Sequence, residues 1–297
     1  MRQLIDANHA TWQLLEGVQR GVSLDYINSI AHGKLVALAH LAQHALPTAQ
    51  KRTLQLLIGD MHILLGRLQR DIMNFGTAEA HFHRAIEIAR EIGSADLETA
   101  ARHRLGNMVL LDELKPTAAV RNADILLEVS KKASFPLWAE AQLMAGAAYA
   151  YAGRYSETQQ LTATAKARKG PDPEMWIGGI TNPPAIYADM ALITSLAVGK
   201  YGEAYQHSVE TINLIEADYP DNTHWRLNVE SMQAHSLWGL RDTKSAAETA
   251  MKCLISSRVI GNTASEARLE RLYTMMAQSK EYKHPAVKAF GERLFAQ

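Results

Sequence analysis

The chain has 297 residues, of which 47% are hydrophobic and 21% charged, so it can bury a large core and is not a disordered segment. Its 31 Lys and Arg residues balance 31 Asp and Glu residues, which leaves no basic surplus for phosphate contacts. We therefore expect no direct nucleic acid binding by this chain. Cys253 is the only cysteine, which excludes an internal disulfide.

Residues 1–47 are predicted to form two capping helices, at about Arg2–Arg20 and Leu24–Ala45. The opening segment lacks the apolar run of a secretory signal peptide, and no stretch of membrane-spanning length is apolar. These observations predict a cytoplasmic protein with no membrane contact.

Helical periodicity dominates the rest of the sequence, and signals for strands are almost absent. In the stretch AHFHRAIEIAREIG, apolar residues recur at steps of three and four, as on one face of an α-helix. Gly93 lies in the last position of this stretch, and glycine is a usual helix terminator. The sequence therefore predicts an all-α fold.

A short motif occurs twice, as AGRYSET at residues 152–158 and as VGKYGEA at residues 198–204. Each copy contains Gly, a basic residue, Tyr, one further residue and Glu, in that order. Motifs that recur along a chain are typical of proteins built from stacked structural repeats. The recurrence therefore predicts a repeated structural unit.

The spacing of small residues resembles that of tetratricopeptide repeats, which are helix pairs of about 34 residues. Gly or Ala lets paired helices approach closely, and neighbouring pairs must stack because no single pair can bury its own apolar stripe. The residues expected at these contacts are Gly66, Gly106, Gly146, Ala85, Ala165 and Ala204. The resemblance implies a right-handed α-solenoid of stacked antiparallel helix pairs.

We expect a single domain over residues 1–297. Residues 48–258 are predicted to contain about five repeat-like units, and residues 259–297 a closing helix pair at Ala264–Gln278 and Pro285–Phe295. The connection between the third and fourth units, residues 167–184, is longer than is usual between packed helices.

Segments outside the repeats resemble a family of large bacterial Xre-type regulators, which join a helix-turn-helix to a C-terminal tetratricopeptide array. The similar segments are Leu4–Leu15, Asp172–Trp176 and Ala267–Leu294. No stretch is predicted to be the helix-turn-helix itself, because Leu24–Ala45 has neither a tight turn nor a basic recognition helix. The resemblance implies the ligand- or peptide-sensing part of a transcription regulator. A constitutive protein–protein interaction scaffold is the alternative interpretation.

Patterns for catalysis and for metal binding are weak. His81 and His83 stand near Glu87, but the two histidines point in divergent directions on a helix and no HExxH motif occurs. Cys253 occupies a position where alanine is usual, which predicts a buried side chain. Nucleophile elbows, phosphate loops and dinucleotide fingerprints do not occur in the sequence. We therefore expect a non-enzymatic protein with no metal and no cofactor.

The first helix of each tetratricopeptide pair lines the concave side of the array, so its polar residues are the predicted ligand-binding site. These residues are Arg67, Arg70, His103, Asn107, Tyr151, Asp189, Arg226 and Gln233, with Trp176 of the long connection as a movable cover. Peptide-binding relatives often use Asn at the position of Asn107 to hold the ligand's backbone. The arginines suit a carboxylate, because a guanidinium group pairs with it in two places. The expected partner is a peptide, a protein or a small molecule, and a homodimer is compatible with the sequence.

Overall fold

The computed structural model describes residues 1–16, 23–167, 170, 177–178 and 183–296. Helices dominate these residues and no strand occurs among them, so the predicted all-α fold is confirmed. The helices are α1 (Arg2–Glu16), α2 (Leu24–Leu41), α3 (Thr48–Asp71), α4 (Phe75–Glu91), α5 (Ala95–Asn107), α6 (Pro116–Ser130), α7 (Phe135–Tyr151), α8 (Tyr155–Ala167), α9 (Pro183–Ala197), α10 (Tyr201–Asp218), α11 (Thr223–Gly239), α12 (Thr243–Ile260), α13 (Thr263–Ala277) and α14 (Pro285–Phe295). A π-helical turn, Met108–Asp112, continues α5, and a 3₁₀ turn, Lys280–Lys283, precedes α14.

The first capping helix begins at Arg2 as predicted, and its predicted end at Arg20 lies outside the described residues, whereas the end of α2 differs from its predicted bound. This helix was predicted to reach Ala45 but ends at Leu41, where the main chain tightens into turns whose N–H groups bond three residues back. Such tightening is common in the last turn of a helix, because it satisfies carbonyls that have no partner further along. The closing pair, α13 and α14, lies within one residue of the predicted bounds.

The described residues form two compact units, one of helices α1–α8 and one of helices α9–α14. In unit 1, α3 packs on α4, α5 on α6 and α7 on α8, and the first helices of successive pairs also contact each other. In unit 2, α11 packs on α12 and α13 on α14, and α11 also contacts α13. Each unit is thus a stack of antiparallel helix pairs. The expectation of one domain over residues 1–297 stays a prediction.

Small residues lie where the paired helices approach, as predicted. A Cβ atom on Gly66 would lie 2.6 Å from Cε1 of Phe82, and one on Gly106 would lie 2.9 Å from Nδ2 of Asn122. A Cβ atom on Gly146 would be in ordinary contact with Thr158, 3.7 Å from its carbonyl oxygen. The three predicted alanines, Ala85, Ala165 and Ala204, are fully buried. Close helix contact therefore accounts for the spacing of small residues.

The repeated motif marks the turn inside a helix pair. Gly153 and Gly199 have φ angles of 78° and 72°, in the left-handed region that L-amino acids with a Cβ rarely adopt. In each copy, the basic residue that follows pairs with the glutamate three positions later, as Arg154 does with Glu157. The motif therefore encodes one left-handed residue and an ion pair at the start of the second helix.

Three equivalent turns adopt the same conformation without glycine. Met73, Leu114 and Arg241 have φ angles of 61°, 55° and 65°, and each stands two positions before the second helix of its pair. A left-handed conformation costs about 1–2 kcal/mol for a residue with a Cβ. Helix packing thus imposes the left-handed conformation of the turn, even at residues for which that conformation is unfavourable.

We predict that Gly153→Ala lowers the free energy of unfolding by about 1 kcal/mol, because alanine is strained at a positive φ. Gly33→Ala is the matched control, since Gly33 lies inside α2, is exposed and has no atom within 4 Å of the position that a Cβ would take. There alanine should raise the free energy of unfolding by about 0.5–1 kcal/mol. Urea denaturation of the two variants measures both values, and equal effects at the two positions would contradict the account.

Candidate functional site

One face of unit 1 concentrates charged and polar side chains. It is formed by the first helices of three pairs, α3, α5 and α7, of which α5 contacts both others. Its polar members recur at helical steps of three, four and seven, which places them on one side. We call this the inner face and define it by Asp60, Arg67, Arg70, His103, Arg104, Asn107 and Glu140.

Asp60 is only 1% exposed, and both of its carboxylate oxygens accept hydrogen bonds. Its Oδ2 accepts hydrogen bonds from Nδ2 of Asn8 at 2.8 Å and from Nε1 of Trp12 at 3.0 Å. Its Oδ1 accepts the main-chain N–H of Gly178 at 2.8 Å. Burial raises the pKa of the Asp60 carboxyl to about 6, against these hydrogen bonds and the nearby charge of Lys34, which lower the pKa. At neutral pH the group is therefore a buried carboxylate that N–H donors stabilise.

The inner face holds Gly178 by both of its main-chain groups. Asp60 accepts its N–H, while Arg104 donates to its carbonyl oxygen from Nη2 at 2.7 Å and from Nε at 3.3 Å. The neighbouring Ile177 is 2% exposed. Side chains of α3 and α5, which are the first helices of two successive pairs, thus bind the main chain of the same residue.

Arginines of the inner face lie close to one another and to carboxylates. The guanidinium of Arg70 pairs with Asp112, which the π-helical turn after α5 carries. The pKa of Arg104 is lowered to about 10, first by burial and then by the positive charge of Arg67. The π-helical turn itself is a feature often found at functional sites, and it begins directly after Asn107.

A second polar cluster joins α5 to α7. Nδ2 of Asn107 lies 3.4 Å from Nε2 of His103, whose Nδ1 lies 3.4 Å from a carboxylate oxygen of Glu140. Burial, followed by the charges of Arg104 and Arg70, holds the pKa of His103 well below its usual range, so the imidazole is neutral. Oδ1 of Asn107 is buried and has no hydrogen-bond partner among the described residues. An acceptor in this state is suited to an N–H donor from a ligand.

The predicted site residues fall into separate groups. Arg67, Arg70, His103 and Asn107 come together on the inner face of unit 1. Tyr151 ends α7 and is 38% exposed. Trp176, the predicted cover, lies outside the described residues.

The remaining predicted residues belong to unit 2, where they contact other side chains. Oδ2 of Asp189 accepts a hydrogen bond from Nε1 of the buried Trp225 at 3.0 Å. Arg226 lies 3.5 Å from a carboxylate oxygen of Glu230 on the next turn of α11. Gln233 is partly buried on the same helix. Their role in ligand binding stays a prediction.

Three residues of the inner face were not predicted from the sequence: Asp60, Arg104 and Glu140. One signal was available for Asp60, which lies seven positions before Arg67 on the same side of α3 and is acidic within an otherwise apolar stretch. Arg104 is adjacent to a predicted residue, but its bond to Gly178 joins positions far apart in sequence. Only the fold brings them together.

The fold is an all-α array of tetratricopeptide-type helix pairs, and in unit 1 side chains of the first helices α3 and α5 bind the main chain of Gly178. The crystal structure of NprR in complex with its cognate peptide NprX matches with a TM-score of 0.54 and 16% identity, over 97% of this chain and 77% of that chain. This similarity shows a shared fold, and it confirms the predicted tetratricopeptide resemblance at that level.

The apo form of the quorum sensor NprR from B. thuringiensis matches with a TM-score of 0.45 and 14% identity, over 95% of this chain and 73% of that chain. No protein-family model and no curated protein matches the sequence. In the part of the chain that the structure describes, none of the helices has both the length and the apolar character needed to cross a bilayer.

A histidine cluster lies away from the inner face. Nδ1 of His62 on α3 is 2.9 Å from Nδ1 of His81 on α4. His83, also considered as a metal ligand, is exposed and lies 3.5 Å from Glu79. Among the described residues, no group of three or more His, Cys, Asp or Glu side chains is placed to hold a metal ion. Cys253 is buried as predicted, and burial raises its pKa to about 12.

We predict that His62→Gln makes the protein less sensitive to acid. Burial, followed by the charge of His81, lowers the pKa of His62 in the folded state to about 4, so the neutral ring stabilises the fold above the unfolded pKa. That contribution is lost as pH falls from about 6.5 to 4, and it is worth about 2 kcal/mol after allowing for solvent screening at a partly exposed ring.

Unfolding free energies measured at several pH values should therefore fall less steeply in His62→Gln than in the parent. His83→Gln, which replaces an exposed histidine on α4, serves as the control for a histidine-to-glutamine change outside the buried pair. A parallel fall in parent and His62→Gln would contradict the assignment.

Proposed function

We propose that this chain is the peptide-sensing domain of a bacterial transcription regulator, acts in the cytoplasm and has no enzymatic activity. The observation that carries the proposal is the binding of a main chain by the inner face. Asp60 accepts the N–H of Gly178, and Arg104 donates to the C=O of the same residue. A surface that satisfies both groups of one residue is chemically suited to peptides, because every peptide repeats those groups.

Asn107 extends the same recognition along α5. A side-chain amide offers one acceptor and two donors, so it can pair with both groups of a peptide unit. Its buried Oδ1 has no hydrogen-bond partner among the described residues, and leaving such an atom unpaired is costly. The tetratricopeptide resemblance implies the same role for this Asn. NprR, which shares the fold, has been crystallised with its cognate peptide NprX.

Charge contributes less to ligand choice than the sequence suggested. Arg70 pairs with Asp112, so this arginine already has a carboxylate partner. Arg226 lies 3.5 Å from a carboxylate oxygen of Glu230, and its Nε makes no hydrogen bond among the described residues. An ion pair that is satisfied inside the protein gives little net attraction to a further anion. The contacts therefore favour recognition of the peptide backbone over recognition of an acidic group.

The test is a screen of randomised linear peptides against the immobilised chain, with a metabolite pool screened in parallel by thermal stabilisation. Binding of each hit is then measured by fluorescence anisotropy. We expect peptide hits whose affinity falls about tenfold in Asn107→Ala, because the loss of backbone hydrogen bonds costs about 1–2 kcal/mol.

Gln160→Ala is the matched control, since it removes an exposed amide from the outer helix α8 and should leave the affinity unchanged. Circular dichroism of both variants verifies that they fold. Peptides that bind Asn107→Ala as tightly as the parent would contradict the proposed site. A screen without peptide hits would contradict peptide sensing and favour the scaffold interpretation.

A further inference from the structure

The main chain of Gly178 is recognised completely by two side chains. Asp60 Oδ1 accepts its N–H at 2.8 Å, and Arg104 donates twice to its carbonyl oxygen, from Nη2 at 2.7 Å and from Nε at 3.3 Å. A main-chain unit offers one donor and one acceptor oxygen with two lone pairs, so these three bonds use its full capacity. The two side chains therefore form a site for the backbone of one residue.

The site accepts glycine and excludes larger residues. Gly178 has a φ angle of 68°, a conformation that costs other residues free energy. A Cβ atom at this position would lie 2.9 Å from Cβ of Ala100 on α5, which is closer than packed atoms approach. Because Ala100 is attached rigidly to its helix, the contact cannot relax by rotation of a side chain.

The occupant comes from the chain itself, from the connection between α8 and α9. Ile177 is buried beside Gly178 at 2% exposure, so an apolar contact accompanies the three hydrogen bonds. The bonded partners are distant in sequence, with Asp60 and Gly178 separated by 118 positions. The inner face thus holds the chain's own Ile-Gly step as a peptide ligand would be held.

We propose that Asp60 and Arg104 form a recognition site for a glycine of a peptide ligand, and that Gly178 is its internal occupant, which an external peptide must displace. This inference rests on the proposed function. The proposed ligands are peptides with a glycine after a bulky apolar residue, by analogy with Ile177-Gly178. Because the ligand and the connection compete for one site, the sensor should respond only above a threshold concentration of the ligand.

The threshold concentration arises because Gly178 is covalently joined to the chain that carries its site. A segment that belongs to the same chain as its site competes intramolecularly, at an effective concentration on the order of millimolar for a short connection. When the binding-competent state is only a small fraction of the population, the apparent affinity for the external ligand falls by that fraction. Weakening the internal occupant should therefore strengthen external binding, whereas a purely structural brace would give no such gain.

The test uses a fluorescent synthetic peptide, EMWIGGITN, which copies residues 174–182. Its binding is measured by anisotropy on the parent chain and on the double variant Ile177→Ala/Gly178→Ala. We expect at least tenfold tighter binding to the double variant, because its own segment no longer fills the site. The milder variant Ile177→Ala should give a smaller gain, and it serves as the measurement if the double variant does not fold.

Two controls identify the site. The same peptide carrying Gly178→Ala should bind at least tenfold more weakly, and Asp60→Ala added to either variant should remove the gain. Equal binding to parent and variants, or a gain that survives Asp60→Ala, would overturn the inference. Binding that depends on Asp60, in a protein for which the random screen finds no peptide, would support the site while contradicting peptide sensing. If the random screen finds peptides but the copied peptide shows no gain in binding, peptide sensing would be supported and the glycine site contradicted.

Discussion

The carboxylate of Asp60 is buried among groups from α1, from α3 and from the connection after α8, and a buried charge is tolerated only where hydrogen bonds replace the water it has lost. Asn8, Trp12 and the N–H of Gly178 supply those bonds. Removing any donor leaves the charge less compensated, so the capping helix, the first repeat-like pair and the connection depend on one another. The binding chemistry of the inner face is thus also part of what stabilises unit 1.

Close packing of the helices positions the polar side chains of the inner face. Gly66 lets the ring of Phe82 pack directly against α3. The left-handed turns close five of the described pairs in the same way whether or not glycine is present, as at Gly153 and Leu114. Successive first helices therefore present their polar residues on a common face, and side chains from α3 and α5 can bind the same segment.

Much of the fold was predictable because it depends on local signals. Short stretches of sequence are enough to recognise helical periodicity, the small residues at helix contacts and the glycine turns. The bounds of α13 and α14 were predicted to within one residue. The membership of the inner face was predictable only where it follows the register of a first helix, as for Asn107. The bond between Asp60 and Gly178 was not, because it joins residues 118 positions apart and no local pattern records such a contact. The π-helical turn that carries Asp112 is likewise a consequence of tertiary packing.

Hydrogen exchange at the amide of Gly178 tests the central claim most directly, because that N–H is the group the inner face binds. NMR on protein with isotope-labelled glycine can follow this amide in the parent and in Asp60→Asn. We predict that the Gly178 amide of the parent exchanges about 100-fold or more slowly than in an unfolded chain, and that Asp60→Asn removes most of this protection while α3 stays protected. Exchange at the unfolded rate in the parent, with α3 still protected, would contradict the claim.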